Sequence, residues 1–75
     1  MDATKINNVK SHLVQYGSIT PKDAYYLYRT MRLSDIIFKL RNRGWVIDTE
    51  MITINTPDGG MEAFAKYVLK EVGDG

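Results

Sequence analysis

The sequence predicts an α+β fold, three helices followed by an antiparallel β-hairpin. Three observations carry this reading. Apolar residues recur at helical spacing in separate stretches before residue 44. Glycines close the first and last of these stretches, as Gly17 and Gly44. Beyond Gly44 the pattern changes to β-branched residues interrupted by a turn cluster.

The first helix is expected over residues 3–16, where Ile6, Val9, Leu13 and Tyr16 form one apolar stripe. Ser18-Ile19 is a short extended link. Thr20-Pro21-Lys22-Asp23 then gives the clearest helix start in the chain. Thr20 suits an N-cap, Pro21 suits the first helical position, and Asp23 places negative charge in the first turn. This second helix runs over 21–28 and buries Ala24, Leu27 and Tyr28. Arg29-Thr30-Met31 has no apolar period and reads as a tight turn. A third helix over 32–43 has the stripe Leu33, Ile36, Ile37 and Leu40.

After Gly44, Trp45 and Ile47 alternate with Val46 and Asp48, and Ile52-Thr53-Ile54 is β-branched, so a strand is expected over 45–54. Residues 55–60, Asn-Thr-Pro-Asp-Gly-Gly, form a turn cluster. The return segment 61–72 fits two periods. Met61, Phe64, Ala65, Val68, Leu69 and Val72 fall at helical spacing, whereas Ala65, Tyr67 and Leu69 alternate. A strand at 45–54 without a partner would leave backbone groups unpaired, which favours a strand over 63–69, with a helix as the alternative. The expected core is Leu13, Leu27, Leu33, Ile37, Leu40, Trp45 and Ile47. The 75 residues make one domain, 1–75, with residues 72–75 as a frayed tail.

Composition narrows the function. There is no cysteine, and His12 is the only histidine, so neither a metal site nor a catalytic triad has its partners. Pro57-Asp58-Gly59-Gly60 lacks the lysine and hydroxyl residue of a phosphate loop. Asp48 and Glu50 share a strand face, but nothing supplies a pocket around them. No enzyme, metal or cofactor is expected. No apolar run approaches the ~20 residues of a membrane span, and the N-terminus lacks a signal-peptide pattern, so the expected location is cytoplasmic and no membrane partner is expected.

The net charge of +1 is unevenly spread. Residues 28–45 hold five bases (Arg29, Arg32, Lys39, Arg41, Arg43) and one acid (Asp35), a net of +4. Residues 46–62 hold four acids (Asp48, Glu50, Asp58, Glu62) and no base, a net of −4. On the third helix, Arg32, Asp35, Lys39, Asn42 and Arg43 are expected to share the face opposite Leu33, Ile37 and Leu40. A helix fits the major groove, where arginine grips guanine, asparagine grips adenine and an acid accepts from cytosine. Ser34 stands where a phosphate meets a helix N-terminus. Lys22, Tyr25 and Arg29 are candidate backbone contacts. The competing reading is an ordinary solvated face, with Arg41 and Arg43 favourable at a helix C-terminus.

The run Arg32-Leu33-Ser34, Ile37, Leu40-Arg41, Arg43-Gly44-Trp45 and Ile47 resembles a family of small winged helix-turn-helix proteins common in bacteriophages and prophages. So do Gly17-Ser18-Ile19-Thr20 with Ala24, and Ala65-Lys66-Tyr67-Val68-Leu69 as a closing strand. The resemblance covers roughly residues 4–69 and makes the hairpin a wing. It implies binding of double-stranded DNA through the third helix, as a transcriptional regulator or an accessory of DNA transactions. That role falls on Arg32, Ser34, Asp35, Lys39 and Arg43, with Arg29, Lys22 and Arg41 in support. The chain departs from the pattern at Ile36, where such proteins often carry a base. An acidic wing would repel phosphates. The alternative is therefore a protein-interaction module or inhibitor that meets a host or phage protein through Asp48, Glu50, Asp58 and Glu62. A single module has little contact area for DNA, so a homodimer is a further expected possibility.

Overall fold

The structure, a computed structural model, describes residues 3–73. Its order is α1 (Ala3–Tyr16), β1 (Ser18–Ile19), α2 (Pro21–Tyr28), α3 (Leu33–Asn42), β2 (Val46–Asn55) and β3 (Met61–Glu71). The three helices and the hairpin fall where expected. The third helix is one residue shorter at each end, and both hairpin strands reach further toward the turn than expected.

The helix start at Thr20 has the physical form its residues suggested. The Thr20 hydroxyl accepts from the Asp23 backbone N–H at 3.1 Å, and the Asp23 carboxylate accepts from the Thr20 N–H at 3.3 Å. This reciprocal capping satisfies two donors that a helix N-terminus otherwise leaves open. Pro21 occupies the first turn, where its missing N–H costs nothing.

The Ser18-Ile19 link is itself a strand. Ser18 pairs with Val68 and Ile19 with Tyr67, antiparallel, and the Leu69 N–H donates to the Gly17 carbonyl at 2.8 Å. The sheet order is therefore β1-β3-β2. The return segment is the central strand, and residues 61–71 are extended rather than helical. A helix there would have left both neighbouring strands without partners.

The core lies between the helices and the base of the sheet. Val9, Leu13, Ile19, Ala24, Ile37 and Leu40 have almost no exposed surface, and Leu33, Ile36, Trp45 and Ile47 are nearly as buried. Two expectations fail here. Leu27 is 60% exposed and Tyr16 is 65% exposed. At eight residues, α2 packs one narrow stripe, Ala24 with half-buried Tyr28, and Leu27 lies to one side of it. Tyr16 is the last residue of α1, and its ring rests on that of His12 at 4.6 Å between centroids instead of entering the core. His12 is buried, and its Nδ1 is 2.8 Å from the Tyr28 hydroxyl. The Tyr28 phenol has a raised pKa, first through burial and then through nearby Tyr16 and Asp23.

Of the expected tail, Gly73 packs against the backbone of Arg43, Gly44 and Trp45, so closely that a Cβ there would collide with main chain. Asp74 and Gly75 lie outside the described residues.

Candidate nucleic-acid interface

Helix α3 follows Thr30, which is buried, and Arg32, whose side chain makes no capping bond. Four apolar residues, Leu33, Ile36, Ile37 and Leu40, press its inner face into the core. At 3.6 residues per turn, the outward face is then centred on Asp35, Phe38 and Asn42. All three are exposed, Phe38 by 64%. Arg32, Lys39 and Arg43 line one flank of this face, and Ser34 and Arg41 line the other. The face expected from the sequence is thus turned toward its basic flank, with Lys39 half-buried.

Phe38 was missed by sequence reasoning. The signal was present, because position 38 lies opposite the stripe Leu33-Ile37-Leu40. An aromatic ring on a solvent face can contact the methyl group of thymine. Ile36, which stood in the sequence as a lost DNA-facing charge, is buried instead. The chain has therefore lost no cation from its outward face at that position.

The charges on α3 are not equivalent. Arg32 is 87% exposed and lies 3.7 Å from Asp35, an i,i+3 pair too exposed to be worth much. Such a pair can open for a phosphate or a base edge. Arg41 is engaged elsewhere. Its Nε donates to the Ile47 carbonyl at 3.0 Å, and its Nη2 donates to that carbonyl at 2.5 Å and to the Thr49 hydroxyl at 3.0 Å. Arg41 clasps the start of β2 to α3, so its guanidinium is a fastening of the wing.

A cavity of about 370 Å³ opens beside the start of α3. Lys5, Arg29 and Arg32 line it, with Thr30, Asp35 and Ile36. Lys5 comes from α1 and was not foreseen, because nothing in the sequence marks the approach of α1 to α3. Arg29 ends α2 with φ 56° and ψ 32°. It is the one residue other than glycine with positive φ among those described. Lys22, Tyr25 and Tyr26 are exposed along α2, with the two rings edge to face at 5.3 Å.

The register of the hairpin sorts its acids. Ile47 pairs with Leu69, Thr49 with Tyr67, Met51 with Ala65, Thr53 with Ala63 and Asn55 with Met61. Directly opposed residues share a face. The face that holds Ile47, and with it the core and the Arg41 contact, therefore carries no charge. Asp48, Glu50 and Glu62 lie on the reverse face, with Val68, Lys66 and Ile54 as their respective partners. Asp58 sits in the turn. Its carboxylate accepts from the Thr56 hydroxyl and from the Gly60 N–H at 3.1 Å, and these bonds hold its pKa below the usual aspartate value. The four acids do not form one cluster: three share a face and the fourth shapes a loop.

No group of acids or histidine able to hold a metal occurs among the described residues. No helix among them is long and apolar enough to cross a membrane. Residues 5–72, almost the whole chain, match the family model described as a winged helix-turn-helix domain. No curated protein and no solved structure matches.

Proposed function

We propose, from the premise that this chain belongs to the winged helix-turn-helix domain family, that it binds duplex DNA by laying α3 in the major groove. Membership implies DNA binding as such. The further reading is a small regulator or accessory of phage or prophage DNA transactions, acting in the cytoplasm of a bacterial or phage-infected cell. The observation that carries it is the outward face of α3. Asn42 is suited to adenine, Phe38 to a thymine methyl, and Asp35, once parted from Arg32, to cytosine. Arg32, Lys39 and Arg43 flank that face. Lys5, Arg29 and Lys22 extend the positive surface toward the phosphates on either side. The uncharged face of the wing adjoins α3, so the acids of the reverse face do not oppose this approach.

Binding to mixed short duplexes, followed by fluorescence anisotropy across a salt series, tests the reading. The double variant Arg32→Ala with Lys39→Ala should lose most binding and keep its fold, since neither residue is on the buried stripe. Loss of one phosphate contact should lower the salt slope by roughly one unit. Loss of a base contact should cost roughly 1–3 kcal/mol and relax preference at one position. Wild-type protein that shows no salt-dependent binding to any duplex would remove the proposal.

One observation supports a second reading. Asp48, Glu50 and Glu62 share their face with Ile52, Ile54, Phe64 and Val68, an apolar strip with acidic margins in which Lys66, opposite Glu50, is the one base between Asp48 and Glu62. That is a surface for a basic protein partner. If Glu50→Lys with Glu62→Lys abolishes biological activity and the α3 double variant retains it, the protein-partner reading replaces the DNA one.

A further inference from the structure

We infer that the cavity between the end of α1 and α2 is a binding site for an organic ammonium ion. The cavity measures about 470 Å³, within the range of roughly 300–1,000 Å³ typical of small-molecule sites. It is lined by His12 and Tyr16 of α1, Ser18 of β1, and Asp23, Leu27 and Tyr28 of α2. None of these residues lines the cavity beside α3. Lys5, which lines that cavity, and Tyr16, which lines this one, are roughly 16 Å apart along α1. A ligand here and a duplex on α3 would use different residues.

The lining selects the charge of the occupant. His12, Tyr16 and Tyr28 bring three rings together. The His12 and Tyr16 centroids are 4.6 Å apart, and the His12 and Tyr28 rings meet edge to face at 5.6 Å. An aromatic face is the negative side of a quadrupole and attracts a cation within about 6 Å. Asp23 adds a carboxylate. Its Oδ2 accepts from the Thr20 N–H at 3.3 Å, while its Oδ1 has no hydrogen bond among the described residues. The Tyr28 oxygen, 2.8 Å from His12 Nδ1, keeps a lone pair for a further donor. Burial raises the Tyr28 pKa, and Tyr16 and Asp23 raise it further, so the three groups feel one another electrostatically. A cation among them is attracted by each. An anion would face Asp23 with no base among the described lining residues to meet it. The apolar lining selects the rest of the ligand. Tyr16 and Leu27, which the core leaves in solvent, both border the cavity. One carboxylate among apolar walls suits a weakly hydrated cation with carbon substituents. A metal ion would need more acid or histidine ligands, and no such group occurs among the described residues. The same chemistry is offered by a free organic amine and by the lysine side chain of a protein partner.

Titration of the full chain with choline chloride, followed by NMR, tests this. The choline methyl signal should move upfield under the ring currents, and the ring signals of His12, Tyr16 and Tyr28 should shift with one common dissociation constant. The neutral tert-butyl isostere of choline keeps the shape without the charge, and should bind at least about tenfold more weakly. This comparison uses the wild-type chain and needs no variant to fold. Asp23→Asn keeps an oxygen for the Thr20 N–H, and should weaken choline binding at least about fivefold. Tyr16→Leu removes a ring that lies outside the core. It should weaken binding about two- to fivefold, with unchanged circular dichroism. Nα-acetyl-lysine amide separates the sources. Binding at least as tight as choline's would assign the site to a lysine of a protein partner, and weaker binding to a free alkylated ammonium. The proposal is overturned if the three rings do not respond at tens of millimolar choline, if the neutral isostere binds as tightly, or if Asp23→Asn and Tyr16→Leu keep full affinity.

Discussion

Every residue buried among those described lies at or before Ile47, while from Asp48 to Gly73 each is half-buried or exposed. The two regions are therefore held together differently. The helical body and the base of the sheet share one core, built by α1, α2, α3 and Ile19. The distal ribbon, from Met51 round to Phe64, has only its partner strand and a few cross-strand side-chain pairs. A two-stranded hairpin alone in water is marginal. The ribbon persists because its root is fastened, by Ile47 in the core with half-buried Leu69 packed against it, by β1 beside β3, and by Arg41 across to β2. The difference teaches where change will be felt. A lost methyl group in the body disturbs many neighbours, and the same loss in the ribbon disturbs one or two.

The largest expected effect follows from that contrast. Leu40 is fully buried between α3 and the rest of the core. Leu40→Ala should cost about 2–5 kcal/mol, a large share of the stability of so small a domain. Phe64→Ala, at a half-buried ribbon position opposite Ile52, should cost only about 1 kcal/mol. Urea denaturation of both variants measures the contrast. Equal losses would show that the ribbon is as tightly integrated as the body and that the two regions are one unit.

The two regions also differed in how plainly the sequence announced them. Long helices with a broad apolar stripe were legible, and α1 and α3 appear within a residue of their expected ends. Helix α2 was legible in place but not in orientation. Two turns carry too few apolar positions to fix a face, so Leu27 and Tyr28 competed and Tyr28 went inward. The third strand was missed because two residues, Ser18-Ile19, have no period. The hairpin was legible through its turn, but its faces needed the register. Only the pairing of Glu50 with Lys66 and of Ile54 with Glu62 shows three of the acids on the side away from the core. On α3 the charged residues drew attention to one flank, and exposed Phe38 passed unnoticed. The bond from Arg41 to a main-chain carbonyl six residues on was not foreseen, because it leaves no mark in the sequence.

A smaller effect, of unusual sign, is expected at Arg29. Its left-handed backbone is a conformation that side chains other than glycine enter at a cost of roughly 1 kcal/mol. Glycine at that helix end would relieve the strain. Arg29→Gly should therefore leave the domain equally or slightly more stable, by up to about 1 kcal/mol. If the guanidinium serves the phosphates beside α3, the same variant should bind duplex DNA more weakly and with a shallower salt dependence. Thermal melting and anisotropy on one sample report both. A stabilised variant with unchanged DNA affinity would leave Arg29 as a helix cap with a solvated side chain. It would also confine the interface to α3.

The smallest expected effect lies at the far end of the ribbon and concerns pH. Asp58 accepts hydrogen bonds from Thr56 and Gly60 that favour its charged form, so its folded pKa lies below the ordinary value of 3.8. A depressed carboxylate pKa means that the unfolded chain takes up the proton first as pH falls. The stabilisation is thus fully present above the unfolded pKa and is lost as pH drops through the folded one. Asp58 is fully exposed, so the effect is confined to the turn and weakened by solvent. Asp58→Ala should melt slightly below wild type at neutral pH, and the difference should shrink steadily as pH falls below about 4. Amide hydrogen exchange at Gly59 and Gly60 gives the local readout, with protection lost over the same range while α3 amides stay protected. A difference in melting that does not change with pH would mean that the turn is held by backbone shape alone. Loss of α3 protection in step with the turn would instead mean that body and ribbon unfold as one unit.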